Sequence, residues 1–299
     1  MSDNPRNIIQ RYYVPTSDNL RGVWNPKEQM QGKYAGDWTS GVINTVYYLV
    51  IGGGGSGGNA SNGVGRAGGG GAGGLVTGSF GPTYKQPGGS PYTLSIQVGL
   101  GGLSPINESA ARNGFVGSDT VVISQFLTTI AYGGGYGGGA GDGGPGGSGG
   151  GGRGVSGGNG GAGGTSTQPV GGFGNAGGVG FYTLGAGGGG GAGGVGGAAS
   201  LAGNGTAGPG KFINVANNSS YSKTYAAGGA VGVSSSVYGS GGAGTTNYGD
   251  KGGAGIQGVV ILWWDKGYPN PSGVSGSYTY EIKNGYRVYQ FTGDGTITF

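Results

Sequence analysis

The stretch GAGGGGGAGGVGGA (185–198) sets the problem of this fold. Its non-glycine residues, Ala186, Ala192, Val195 and Ala198, fall on every third position, with Gly189 keeping the frame. Asp142, Pro145 and Ser148 repeat at the same spacing. So do Arg153, Ser156, Asn159, Ala162 and Thr165, and then Val170, Phe173, Ala176 and Val179. The unit is Gly-Gly-X. A period of three matches neither the α-helix, at about 3.6, nor the strand, at about 2. It matches the left-handed extended helix with three residues per turn, whose backbone has no internal hydrogen bonds. Every buried N–H and C=O of such a helix must pair with a neighbouring helix. The expected result is a sheaf whose core is backbone. In that sheaf Gly190 and Gly194 face neighbours and Val195 points away.

Composition narrows the alternatives. Of 299 residues, 87 are glycine, about four times the ordinary share of roughly 7%. Glycine has no side chain to bury and loses the most conformational entropy on ordering. Collagen needs glycine at every third position with abundant proline, whereas here glycine fills two positions of three and only 12 prolines occur. A flexible linker needs no phase, and the phased X positions speak against one.

The chain contains no cysteine and no histidine. Disulfides, thiolate nucleophiles, the commonest general base and the commonest metal ligand are all missing. The 15 basic and 11 acidic residues give a net charge of +4. The basic residues are scattered singly, without the stripe that neutralises adjacent phosphates, so no nucleic-acid partner is expected. The opening MSDNPRNIIQRYYVP has no apolar run of signal-peptide length. The longest apolar run, GVVILWW (258–264), suits a buried strand and is too short to span a bilayer. The expectation is a protein made without a secretion signal and not inserted in membranes.

Three regions separate: residues 1–41, of ordinary complexity, the glycine-rich 42–265, and the aromatic, alternating 266–299. Within the second, TVYYLVI (45–51), PYTLSIQV (91–98), TVVISQFLTTIAY (120–132), YSKTYAA (221–227) and GVVILWW are β-branched or aromatic and bounded by glycine, as strands are. In the third, Asn284-Gly285 predicts a type I′ hairpin turn joining YTYEIK (278–283) to YRVYQF (286–291). A bulge is expected near Gln290, and Gly293-Asp294-Gly295 is expected to turn the chain into a last short strand. The predicted fold is all-β: a small β-platform carrying a packed bundle of polyglycine type II helices, plus a C-terminal β-hairpin module. That hairpin is expected to pair with 45–51, in the same chain or a neighbouring protomer.

YYLVIGGGGSGG (47–58), PYTLSIQVGLGG (91–102), AYGGGYGGGAGDGG (131–144) and GGAGIQGVVILWW (252–264) together resemble the glycine-rich domain of phage tail fibres and related phage structural proteins. GVWNPKEQ (22–29) resembles a segment that often precedes such domains. The sequence is similar in style to the distal adhesins of T-even-like phages. In that family the YRVYQFTGDGTITF motif usually comes just before the first strand. Here it sits at the opposite end, 286–299.

The resemblance implies a virion part, a tail-fibre or adhesin component that recognises the host surface without catalysis. Its implied partners are other tail or capsid proteins through residues 1–41, and a host glycan or outer-membrane protein. A homo-oligomer, most simply a trimer, is also implied. The rival is a purely structural decoration or stalk protein, and a fibre-borne glycan hydrolase is a third reading.

Motifs for chemistry are weak. GGGGSGG (52–58) follows a strand, but more glycine follows it where a phosphate-binding loop needs a helix. Glu108 and Asp119 flank one loop and could serve glycoside cleavage, although a solvated loop explains them as well. Asp119, Asp142 and Asp250 lack calcium-loop spacing, so neither metal nor cofactor is expected. Aromatic residues bordering glycine, including Tyr136, Phe173, Phe181, Tyr182, Tyr221, Tyr238 and Tyr248, either cap the sheaf or stand at loop tips. Tips rich in Tyr, Asn, Ser and Gly make adaptable recognition surfaces. The candidate receptor contacts lie on the non-repetitive loops 104–118, 165–173 and 204–220. They are Asn107, Arg112, Phe115, Gln168, Phe173, Lys211, Phe212 and Asn217.

Overall fold

The computed structural model describes residues 43–60, 65–81, 83, 91–106, 110–125, 127–157, 159–182, 185–201, 203–247 and 250–299. Among these the architecture is all-β, without a helix. The strands are β1 (Val46–Ile51), β2 (Leu75–Phe80), β3 (Thr93–Gln97), β4 (Thr120–Ile123), β5 (Thr128–Ala131), β6 (Gly172–Phe173), β7 (Lys211–Ile213), β8 (Lys223–Tyr225), β9 (Val259–Asp265), β10 (Gly273–Lys283) and β11 (Tyr286–Thr298). Nine of them form one sheet in the order β5-β4-β3-β11-β9-β1-β2-β6, with β10 paired to β11, while β7 and β8 pair separately. The sheet is thus larger than a small platform.

The apolar runs of β1 and β9 explain its centre. Unbroken apolar strands are covered on both faces. Val46, Val50, Val260, Leu262 and Trp264 enter one core with Leu94, Ile96, Phe291 and Ile297. Their alternates Leu49, Ile51, Val259, Ile261 and Trp263 enter a second with Tyr225 and Val288. Strand β3 alternates instead: Leu94 and Ile96 are buried between exposed neighbours.

The sheet is nearly closed, and the approach of its edges is specific. Thr120 Oγ1 donates to the Ile51 carbonyl at 2.7 Å, and Gly74 N–H donates to the Tyr132 carbonyl at 2.7 Å. At the free edge of β5 the Gln168 amide stands in for a strand. Its Oε1 accepts from Tyr132 N–H at 3.0 Å, and its Nε2 donates to the Ile130 carbonyl at 3.2 Å. Gln168→Ala strands both backbone groups, and a loss of about 1–3 kcal/mol is expected. A thermal melt of the variant checks this: an unchanged midpoint would remove Gln168 from the seam.

The C-terminal segment joins the sheet of the same chain, but not where the displaced motif placed it. Strand β9 lies between β11 and β1. Asn284 and Gly285 form the turn with φ of 50° and 85°. The expected change of direction at Gly293–Gly295 occurs without interrupting β11, which continues to Thr298 and brings the Phe299 ring back to 5.4 Å from Trp264, the residue opposite Arg287. Its irregularity falls where Tyr278 opposes Phe291 and Gly276 opposes Gly295, beyond the predicted Gln290. At that point β11 passes from β9, which it meets over 286–291, to β3, which it meets over 295–298. Bulges re-aim strands in this way. Asp294 fixes the crossing, its Oδ1 accepting from Val98 N–H at 2.8 Å.

The glycine tracts continue the strands outward from one end of the sheet. Gly52 follows β1, Gly74 precedes β2, Gly99 lies just past β3, Gly133 lies just past β5, and Gly258 precedes β9. From there hydrogen bonds advance in steps of three. Gly52, Gly55 and Gly58 donate to Gly74, Gly71 and Gly68. Gly53, Ser56 and Asn59 donate to Ser118, Phe115 and Arg112, while Gly54 and Gly57 donate to Ile256 and Gly253. The same tract accepts from Gly102, from Gly134 and Gly137, and from Gly242. Tract 67–74 likewise donates to three others, at 132–138, 187–190 and 239–245, and accepts from 52–58, 148–151 and Gly229. Buried peptide groups are thereby paired. Ala186 and Ala192 are buried rather than outward, and of that phased row only Val195 and Ala198 reach solvent.

Candidate functional site

The step-three registers also give distance from the sheet. Gly53 with Ser118 lies nearest, Ser56 with Phe115 next, and Asn59 with Arg112 farthest. Small polar side chains finish the far end. Asn59 Oδ1 accepts from Gly252 N–H at 2.6 Å. Asn113 Oδ1 accepts from Gly139 and Ala140 N–H at 3.0 and 2.9 Å. Thr245 Oγ1 accepts from Ala60 N–H at 2.7 Å.

On this mount sit residues 99–106 and 110–118. Their backbone is held at Phe115, whose N–H donates to Ser56 Oγ at 2.7 Å and whose carbonyl accepts from Ser56 N–H at 2.9 Å. Ser104 Oγ also donates to the Gly252 carbonyl at 2.5 Å. The side chains are left outward. Leu100, Leu103 and Ile106, again three apart, are 66%, 75% and 89% exposed, and Phe115 and Val116 are more than half exposed. A groove of about 460 Å³ opens among Pro105, Ile106, Arg112, Asn113, Phe115 and Ala140. Leucines so exposed beside a rigid backbone are unlike scattered surface residues; contiguous apolar surface marks interaction sites.

The eight candidate residues do not form one site. Arg112 and Phe115 lie at this outer segment, exposed. Asn107 lies outside the described residues, as do Glu108, Tyr248 and residues 1–41. The other five lie toward the sheet. Gln168 is committed to the β5 edge. Lys211 Nζ stands 4.5 Å from the centroid of the Phe173 ring, a cation–π contact, and Phe212 beside it is exposed. Asn217, at φ 50°, accepts from Asn284 Nδ2 at 2.7 Å through its carbonyl and from Asn214 Nδ2 at 2.8 Å through Oδ1. Leu100, Leu103, Ile106 and Val116 escaped the sequence reading. The signal was there, since apolar residues three apart in a glycine-bounded tract are the same Gly-Gly-X frame seen from outside.

The carboxylates nearby serve the backbone. Asp119 Oδ1 accepts from Gly133 N–H and Asp142 Oδ1 from Ala162 N–H, both at 2.7 Å. The perturbed groups are phenols in the core. Burial, reinforced by Tyr238 and Tyr221, raises the Tyr225 pKa. Burial and Tyr280 push Tyr289 up to about 12. Tyr225 donates to the Tyr221 carbonyl at 2.6 Å, and Tyr289 stacks on Trp264 at 5.2 Å. Both are packing groups.

No curated protein matches the chain. A family model described as a glycine-rich domain matches residues 29–265, from within the opening segment to the end of β9. The chain therefore belongs to the glycine-rich domain family.

Proposed function

We propose that this protein is a bacteriophage virion component, a tail-fibre or adhesin part that recognises the host surface by non-catalytic binding. The observation that carries the reading is the exposed apolar row Leu100, Leu103 and Ile106 beside Arg112 and Phe115, held on a hydrogen-bonded glycine scaffold. Recognition surfaces gain affinity when they are ordered in advance, and this scaffold holds the segment through its backbone and the Ser104 and Asn113 side chains, leaving the apolar ones outward. A host glycan or outer-membrane protein is the partner, and residues 1–41 attach the chain to the rest of the virion.

On this reading the tracts are polyglycine type II helices. Support comes from hydrogen bonds that rotate among three acceptors with a period of three, and from six neighbouring tracts around 52–59. At about 3.1 Å per residue, the eight residues of that tract would hold the groove roughly 25 Å from the sheet.

Exchanging residues 104–118 for the equivalent loop of a related phage protein tests the function. The expected outcome is a changed range of bacteria bound by the purified protein, with the melting profile retained. Binding that is unchanged while the virion still assembles favours the purely structural reading, a decoration or stalk protein.

A further inference from the structure

Strand β10 is an edge. It pairs with β11 along its length, and among the described residues no strand pairs with its other side. An open edge presents a row of N–H and C=O groups that will accept another strand. Its side chains add a second feature. Tyr278, Tyr280 and Ile282 stand opposite Phe291, Tyr289 and Arg287 and so share one face. Tyr278 lies 5.6 Å from Phe291 and Tyr280 lies 4.5 Å from Tyr289, ring to ring. They carry the aromatic core to the rim of the sheet, yet each remains two-fifths exposed or more. The other face is occupied: Asn218 Nδ2 donates to Glu281 Oε1 at 2.6 Å.

We propose that β10 binds β10 of a second copy, antiparallel, about a two-fold axis through Tyr280. The register follows from the residues. The irregularity at Gly276–Tyr278 limits the regular edge to 278–283. A two-fold axis normal to the sheet keeps the Tyr-Tyr-Ile face of both copies on one side. Centring on Tyr280 then sets Tyr278 against Ile282 and Thr279 against Glu281, all within the regular edge. Moving the centre to Glu281 sets that carboxylate against its own copy, and like charges directly opposite repel. Moving it to Thr279 sets Ile282 against Gly276, past the end of the regular edge. The favoured register joins six half-exposed apolar side chains into one strip. Such an interface is isologous and closed, a pair rather than the trimer expected from the sequence.

The chain has no cysteine, so single-cysteine variants of the full chain read the register directly. Residues directly opposite lie about 4.5–5.5 Å apart at Cα, within disulfide reach. Tyr280→Cys should form a reducible covalent dimer under mild oxidation. Ile282→Cys should not, because its copy lies four residues along, roughly 13 Å away. The unmodified chain should sediment as a dimer. Ile282→Lys should weaken that dimer by at least about tenfold, some 1.4 kcal/mol, with unchanged circular dichroism. A monomeric or trimeric wild-type chain overturns the proposal, as does equal cross-linking at 280 and 282. The sedimentation of wild type and Ile282→Lys decides the matter even if Tyr280→Cys fails to fold. The proposal does not depend on receptor binding.

Discussion

Gly70→Val will leave the chain unfolded. Gly70 donates to the Gly242 carbonyl at 2.9 Å and accepts from Gly229 N–H at 2.8 Å. A Cβ at this position would enter the space of the Gly55 carbonyl, which is backbone and cannot rotate away. Relief requires moving whole tracts, and every tract is bonded to several others. Each buried peptide group left unpaired costs about 1–3 kcal/mol. With several lost at once, the total exceeds the roughly 4–5 kcal/mol that marks an exceptional substitution. Soluble yield and the circular dichroism melt read the outcome, and a folded variant with a near-native midpoint would mean that the tracts are not a close-packed core. Gly190 belongs to the same class, since its Cβ would meet the Asn175 carbonyl. Gly194 does not: it is half-buried and a Cβ would meet only the Pro209 ring, at 3.0 Å. It faces a neighbouring tract as expected, but meets a proline side chain there rather than backbone, so a smaller loss follows. Val195→Ser, at an exposed side chain, should change stability by about 0.5 kcal/mol or less.

Deleting residues 278–299 will yield insoluble protein. Strand β11 pairs with both β9 and β3, so its loss parts the sheet into two pieces. Val288, Phe291 and Ile297 are fully buried, and each buried side chain of this kind contributes about 1.5–3 kcal/mol. The deletion also bares Trp264, which is fully buried against Tyr289 and Phe299. The result is an apolar sheet edge, a surface on which chains aggregate. Pelleting after expression checks this, and a soluble truncation with native β signal would show that the glycine-rich part folds without β11.

The strands were legible where apolar residues interrupt glycine. TVYYLVI became β1, PYTLSIQV contained β3, and GVVILWW became most of β9. The segment 120–132 divided into β4 and β5, because Ser124 closes a tight turn, its N–H donating to the Leu127 carbonyl. LVTGSF, now β2, was passed over: it carries a central glycine and only three strongly apolar residues, and gains its strand from pairing with β1. Partners of β11 could not be read, since a long alternating strand fits any neighbour of matching length. The site was half legible. Arg112 and Phe115 stood out as non-repetitive residues, whereas Gln168 is polar for a reason no local pattern reveals, namely the unpaired edge of β5.

A core of hydrogen-bonded peptide groups also has a thermal signature. Unfolding heat capacity rises with the apolar surface exposed and falls with the polar surface exposed, giving roughly 12–15 cal/mol/K per residue in ordinary proteins. Tracts such as 52–59 and 67–74 are buried throughout yet release little besides amide groups to water. The heat capacity increment per residue should therefore lie below the ordinary range. A smaller increment flattens the curve of stability against temperature, so the mount for the outer segment keeps its rigidity from cold water to warm.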